Sequence, residues 1–200
     1  MQSQKLNLAV FVSATGSILE SLLADGVPYE VSLILADRHC RAIDEVPNMF
    51  PQCGAETLLL ERSDFGTSFN RHGYTVRVIE ALRQHSIDVV AMMGFQTILG
   101  SEIFGYYHGR IVNIHPSLLP RFKGHYAVRD ALAAGVSETG TTLHIATAKL
   151  DDGPVIAQES VPILSTDTED SLHERIKQVE RVMYPRELRK FMLGLLPLRV

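Results

Sequence analysis

The sequence predicts an α/β fold: a doubly wound, mostly parallel sheet with an antiparallel C-terminal strand pair and a long C-terminal helix. Three observations predict it. Short apolar runs that end in turn residues alternate with segments of helical period in the first half, as βαβ units do. After Pro120 two strand-like runs follow each other with no long helix between them. The chain then closes on an apolar stripe of helical spacing.

Leu6–Val12 (LNLAVFV) reads as a buried strand, because it is an uninterrupted apolar run bounded by small turn residues. SATGS turns the chain and ILESLLAD reads as a helix. Val31–Ala36 and Thr57–Leu60 are the second and third strands, and Asn70–His85 has helical period through Tyr74, Val78 and Leu82. Val89–Met92 and IVNIHP supply two more strands, and Tyr126–Ala134 a short helix. Thr141–Thr147 and Pro154–Ile163, with Asp151-Asp152-Gly153 between them, are expected to pair as an antiparallel hairpin at one end of the sheet. The last helix starts near Asp167, where acidic residues suit the positive helix start, and carries the stripe Leu172, Ile176, Val179 and Met183. Tyr184-Pro185 is expected to kink or end it.

A chain of 200 residues can build one sizeable core. The formal net charge of -4 argues against nucleic acid as the main partner, since binding a phosphate backbone calls for a basic surface. No apolar run is long enough to span a bilayer, so no membrane partner is expected. Cys40 and Cys53 form neither a CxxC nor a zinc set, which suggests free thiols in a cytoplasmic protein and no metal site.

The stretch NIHPSLLPRFKG, from Asn113 to Gly124, concentrates the chemistry. A residue before proline is driven into extended geometry, so His115 belongs at the carboxyl edge of a strand. Alternation puts Asn113 on the same face. An amide donor beside an imidazole suits an oxyanion and a proton transfer. A strand-end cap beside a satisfied polar histidine fits the same residues equally well. Ser13–Ser17 is a strand–turn–helix junction that could present N–H groups to a phosphate, although a turn with one glycine is more often only a turn. Asp151-Asp152-Gly153 is ordinary turn chemistry unless the corner folds back over His115, where a carboxylate would favour the charged ring.

Taken together, NIHPSLLPRFKG and the aspartate of LDDGPVIAQ resemble the folate-dependent formyltransferase family, and the similarity runs from VFVSATGSILESLL to ERIKQVERVMYP. The resemblance implies a Rossmann-like formyltransferase domain over 1–200. About 1–100 would be the phosphate- and nucleotide-binding half and about 101–200 the catalytic and folate-binding half. It implies formyl transfer from 10-formyltetrahydrofolate, a co-substrate, to the amine of glycinamide ribonucleotide (GAR) in purine (IMP) biosynthesis, without a metal. The family's catalytic set matches Asn113, His115 and Asp151: an oxyanion donor, an imidazolium that stabilises the oxyanion and delivers a proton, and the carboxylate that holds it. GAR-binding positions match Gly16, Ser17, Ile18, Gly124 and Glu180, with Glu180 at the rim of the site. Folate-binding positions match Arg71, Phe95, Gln96, Thr97, Ile98, Leu99, Asn113, Ala148, Lys149 and Leu150. Thr142 and His144 are expected to support the water network of Asp151, and a cis bond is expected at Leu119-Pro120.

The match departs from the family pattern at Ala14 and Ile18 in the phosphate loop and at Thr97, where many members carry arginine. A positive φ at position 14 would strain alanine. These departures leave two alternatives: formylation of another amine such as a nucleotide sugar, or a catalytically silent folate- and nucleotide-binding paralogue. The sequence leaves the oligomeric state open, a homodimer included.

Overall fold

The computed structural model describes residues 5–25, 30–62, 64 and 66–195. Seven strands form one sheet: β1 (Asn7–Val12), β2 (Glu30–Ala36), β3 (Glu56–Leu59), β4 (Val89–Met93), β5 (Ile111–His115), β6 (Glu138–Ile145) and β7 (Val155–Pro162). Their order is β3-β2-β1-β4-β5-β6-β7. The first five strands run parallel, and β6 and β7 add antiparallel at one edge. The expected hairpin is therefore present, and β6 also pairs antiparallel with β5. Strand order reverses between β1 and β4, and the carboxyl edge near such a switch point is where open α/β sheets bind ligands.

The central strands are buried on both faces, which is why they are unbroken apolar runs. Leu8, Val10 and Val12 pack with helices α1 (Ser17–Ala24) and α7 (Glu169–Leu195). Ala9 and Phe11 face the other way, against α4 (Arg71–Gln84) and α5 (Ile103–Tyr106). Asn70 caps α4, its side chain accepting the Gly73 N–H at 2.8 Å. Short helices α2 (Arg41–Asp44) and α3 (Val46–Met49) follow β2, and α6 (Ala127–Ala133) precedes β6. Among the described residues no helix is long and apolar enough to cross a membrane.

Helix α7 corrects half of one expectation, that Tyr184-Pro185 would kink or end it. It runs through Pro185 to Leu195 and does not end there. Proline removes one backbone donor. Tertiary packing outweighs that loss: Tyr184, Leu188 and Met192 are buried in the core on either side of it. The Tyr184 hydroxyl also donates to the Met92 carbonyl of β4 at 3.3 Å. The Leu119-Pro120 bond is cis, as expected.

Candidate active site

The antiparallel register of β5 and β6 sets Asn113 opposite His144 and His115 opposite Thr142. This gathers four polar side chains at the carboxyl end of β5. His115 is buried, and its Nε2 lies 2.8 Å from the Phe122 carbonyl. A carbonyl only accepts, so Nε2 carries a hydrogen and donates. Nδ1 faces Asp151 Oδ2 at 3.4 Å. Asp151 is itself buried, and Oδ2 also accepts the Gly124 N–H at 2.8 Å.

The corner after β6 thus folds back onto His115, and its composition explains how. A Cβ at Gly153 would stand 1.7 Å from the Ile145 carbonyl oxygen, so only glycine lets the corner press so closely on the strand. Lys123 pairs with Asp152 and ties the 121–124 loop to the same corner. Phe122 and Asp151, the two residues that hold His115, both have positive φ, 54 and 50. Each such backbone costs on the order of 1–2 kcal/mol, sustained by the bonds around it.

Asn113 is oriented by His144. His144 Nδ1 lies 3.1 Å from the Ile145 carbonyl and must donate to it. Burial pushes the His144 pKa down, so the ring is neutral and Nε2 is a bare acceptor. Asn113 Nδ2 donates to it at 3.2 Å. One N–H of the Asn113 amide remains for a ligand. His144 Nε2 is also 3.7 Å from Asp151 Oδ1, so this histidine stands beside both polar partners of the site. Thr142 is bonded to the 117–119 turn and to β7. Its hydroxyl donates to the Ser117 carbonyl at 2.6 Å and accepts from Leu119 N and Gln158 Nε2, fixing the 117–119 turn.

Glu180 is almost wholly buried, with 5% of its surface exposed, and does not stand on an open rim. Its carboxylate accepts the Thr141 hydroxyl at 3.0 Å, and burial pushes its pKa up to about 7. The 13–17 loop, the expected phosphate loop, is a sharp turn into α1. Gly16 is the N-cap with φ 80, and a Cβ there would lie 2.9 Å from Ala42. Ala14 is absent from the positive-φ residues, so alanine is unstrained at that position. Ile18 points into the core, which leaves its backbone, with that of Ser17, at the helix start. The first amides of a helix have no intrahelical partner.

A cavity on the α4–α5 face of the sheet is lined by Phe95, Thr97, Ile98, Leu99, Asn113, Ala148, Lys149 and Leu150, together with His144 and Asp151. Two expected folate contacts are outside this lining. The Gln96 N–H donates to Ser13 Oγ at 2.9 Å, and Arg71 is the first residue of α4. Sequence reasoning missed Met92, Phe104, Ile111, Ala146 and Thr147 in the lining, because each reads as a core or loop residue until the strands are registered. It also missed the Phe122 carbonyl, a backbone group with no side-chain signal.

Residues 6–188 match the model of the formyl transferase family. The chain belongs to the formyl transferase family. It is 39% identical over 182 residues to phosphoribosylglycinamide formyltransferase of Mycobacterium tuberculosis, which covers 90% of this chain and 81% of that protein. Among solved structures, glycinamide ribonucleotide transformylase 1 from Symbiobacterium toebii aligns with a TM-score of 0.87 at 30% identity, covering 99% of this chain and 92% of that one. Phosphoribosylglycinamide formyltransferase from Bacillus halodurans aligns at 0.85 with 33% identity, covering 96% and 98%. A formyl transferase must stabilise a tetrahedral oxyanion and move a proton, and the donors, imidazole and carboxylate described above suit those two tasks.

Proposed function

We propose that the chain transfers the formyl group from N10 of 10-formyltetrahydrofolate to the primary amine of GAR in purine biosynthesis, with Asn113, His115 and Asp151 as the catalytic set. The amine nitrogen attacks the formyl carbon and the carbonyl oxygen becomes an oxyanion. The amine loses a proton, the bond from carbon to N10 breaks, and N10 gains a proton. The N–H of Asn113 left over from His144 meets the oxyanion. His115 stabilises the same charge and delivers the proton, and Asp151 balances the charge of the ring.

One observation carries this reading: the three residues converge at the carboxyl end of β5, where the two faces of the sheet meet. The cavity that Asn113 and Asp151 help to line lies on the α4–α5 face. Its apolar loop suits the pterin. The start of α1 and Glu180 belong to the α1–α7 face, where Ser17 and Ile18 N–H groups suit the GAR phosphate and Glu180 a ribose hydroxyl. Each substrate has its own face, and the reacting atoms meet between them. The names of the relatives and of the aligned structures support the same acceptor.

The test is to mix the purified protein with GAR and 10-formyltetrahydrofolate and to follow both products by mass spectrometry. Formyl-GAR and tetrahydrofolate in equal amounts support the reading. Formylation of a sugar amine in preference to GAR, or no turnover by a well-folded protein, would sink it.

A further inference from the structure

The loop that lines the folate side of the site is bonded to the end of β1, which carries the phosphate loop, and to the end of β2 beside it. Thr97 is buried, and its hydroxyl donates to Asp37 Oδ2 at 2.7 Å. Asp37 directly follows β2 and has no exposed surface. One residue earlier in the folate-side loop, the Gln96 N–H donates to Ser13 Oγ at 2.9 Å. Ser13 directly follows β1, and its hydroxyl is close enough to Asp37 to help lower the pKa of that carboxyl. Arg38 closes the set with two N–H bonds to the Asp37 carboxylate, at 3.0 and 3.1 Å. Three strand ends, β2, β1 and β4, are thereby joined across the point where strand order reverses.

We propose that Thr97 and Asp37 are positioning residues that fix the folate-side loop against the phosphate loop and so set the distance between the two bound substrates. The inference rests on the function proposed above. Its chemistry is that of a latch with a charged acceptor. Burial alone would push the Asp37 carboxyl up, but hydrogen bonds from Arg38 and Thr97 and the nearby Ser13 hydroxyl hold it below its ordinary range. The acceptor is thus ionised and anchored by Arg38. A hydroxyl bonded to an ionised group makes a stronger tie than one bonded to a neutral group. Neither residue reaches the atoms that react. Their effect is on alignment, to which two-substrate reactions are sensitive.

The variants are Thr97→Val, which keeps shape and removes the donor, and Thr97→Ser, which restores it. Initial rates over a grid of both substrates should show Thr97→Val with a KM for 10-formyltetrahydrofolate raised about ten-fold and kcat lowered about ten-fold. Thr97→Ser should return both to within about two-fold, and the pH profile of kcat should be unchanged in either variant. Hydrogen exchange of the ligand-free protein gives a second readout. Thr97→Val should speed exchange over residues 13–17 as well as 94–100, and Thr97→Ser should not. A Thr97→Val protein that melts like the wild type, keeps both kinetic constants and keeps slow exchange at 13–17 overturns the latch. If the wild type makes no formyl-GAR, the function falls, and exchange at 13–17 still decides the latch.

Discussion

Asp151 Oδ2 stands 3.4 Å from His115 Nδ1 while the Phe122 carbonyl takes the opposite ring nitrogen at 2.8 Å. Both ring nitrogens thus face acceptors, and the imidazole is fixed in plane at the end of β5. Replacing His115 with alanine should lower kcat on the order of 100–1000-fold, the usual loss for one transition-state donor, and leave both KM values within a few-fold. Steady-state kinetics on both substrates check it. A large rise in KM with kcat intact would mean that His115 serves binding and not the chemical step.

In the proposed mechanism His144 acts on the oxyanion through Asn113, whose amide donates to its Nε2. His144→Ala should therefore lower kcat by less than Asn113→Ala, on the order of ten-fold against 100-fold or more. The double variant should lose little beyond Asn113→Ala alone, because the two act as one unit. Additive losses in kcat for the two sites would contradict that order.

Glu180 and His144 set opposite pH dependences on stability. Burial raises the Glu180 pKa from 4.5 to about 7. Between those values the folded protein binds a proton that the unfolded chain has released. The stability from Glu180 is whole below 4.5 and is lost as pH rises through about 7, a change on the order of 3 kcal/mol. For His144 the folded pKa is depressed, so its contribution is whole above 6.5 and is lost as pH falls below that value. Glu180→Gln should raise the urea midpoint at pH 8 relative to the wild type and remove the loss between pH 5 and 7.5. An unchanged pH profile in that variant would place the carboxylate in water.

Gly16→Ala tests the phosphate loop. The new Cβ would meet Ala42 at 2.9 Å on a backbone with φ 80, so the turn into α1 must move. The expected outcome is a KM for GAR raised on the order of 100-fold with a much smaller change in the KM for the folate. Isothermal titration with each substrate separates the two. Equal weakening of both would indicate general loss of structure.

The sheet was legible because its strands are apolar runs closed by turn residues, as in Leu8–Val12, and because two consecutive strand-like runs have no room for a crossover helix. The convergence of Asn113, His115 and Asp151 was legible through Pro116, which places His115 at a strand end, and through the family resemblance, which picked Asp151 out of an ordinary turn. Helices α2, α3 and α5 were not legible, since four residues carry too little period. The continuation of α7 through Pro185 was hidden because local propensity opposes it and only packing of Leu188 and Met192 sustains it. The burial of Glu180 and the bond from Thr97 to Asp37 depend on contacts between elements far apart in sequence, which no local pattern encodes. Thr142 and His144 show the same limit at close range. They lie two residues apart on one strand, yet one fixes a turn and the other orients Asn113.

The most direct test of the catalytic set is the single-turnover rate of Asp151→Asn with both substrates saturating. Asparagine can still accept the Gly124 N–H but carries no charge to balance the ring. The account predicts equal substrate binding and a rate of formyl-GAR formation lowered on the order of 100–1000-fold. An Asp151→Asn protein that forms formyl-GAR at the wild-type rate would contradict it.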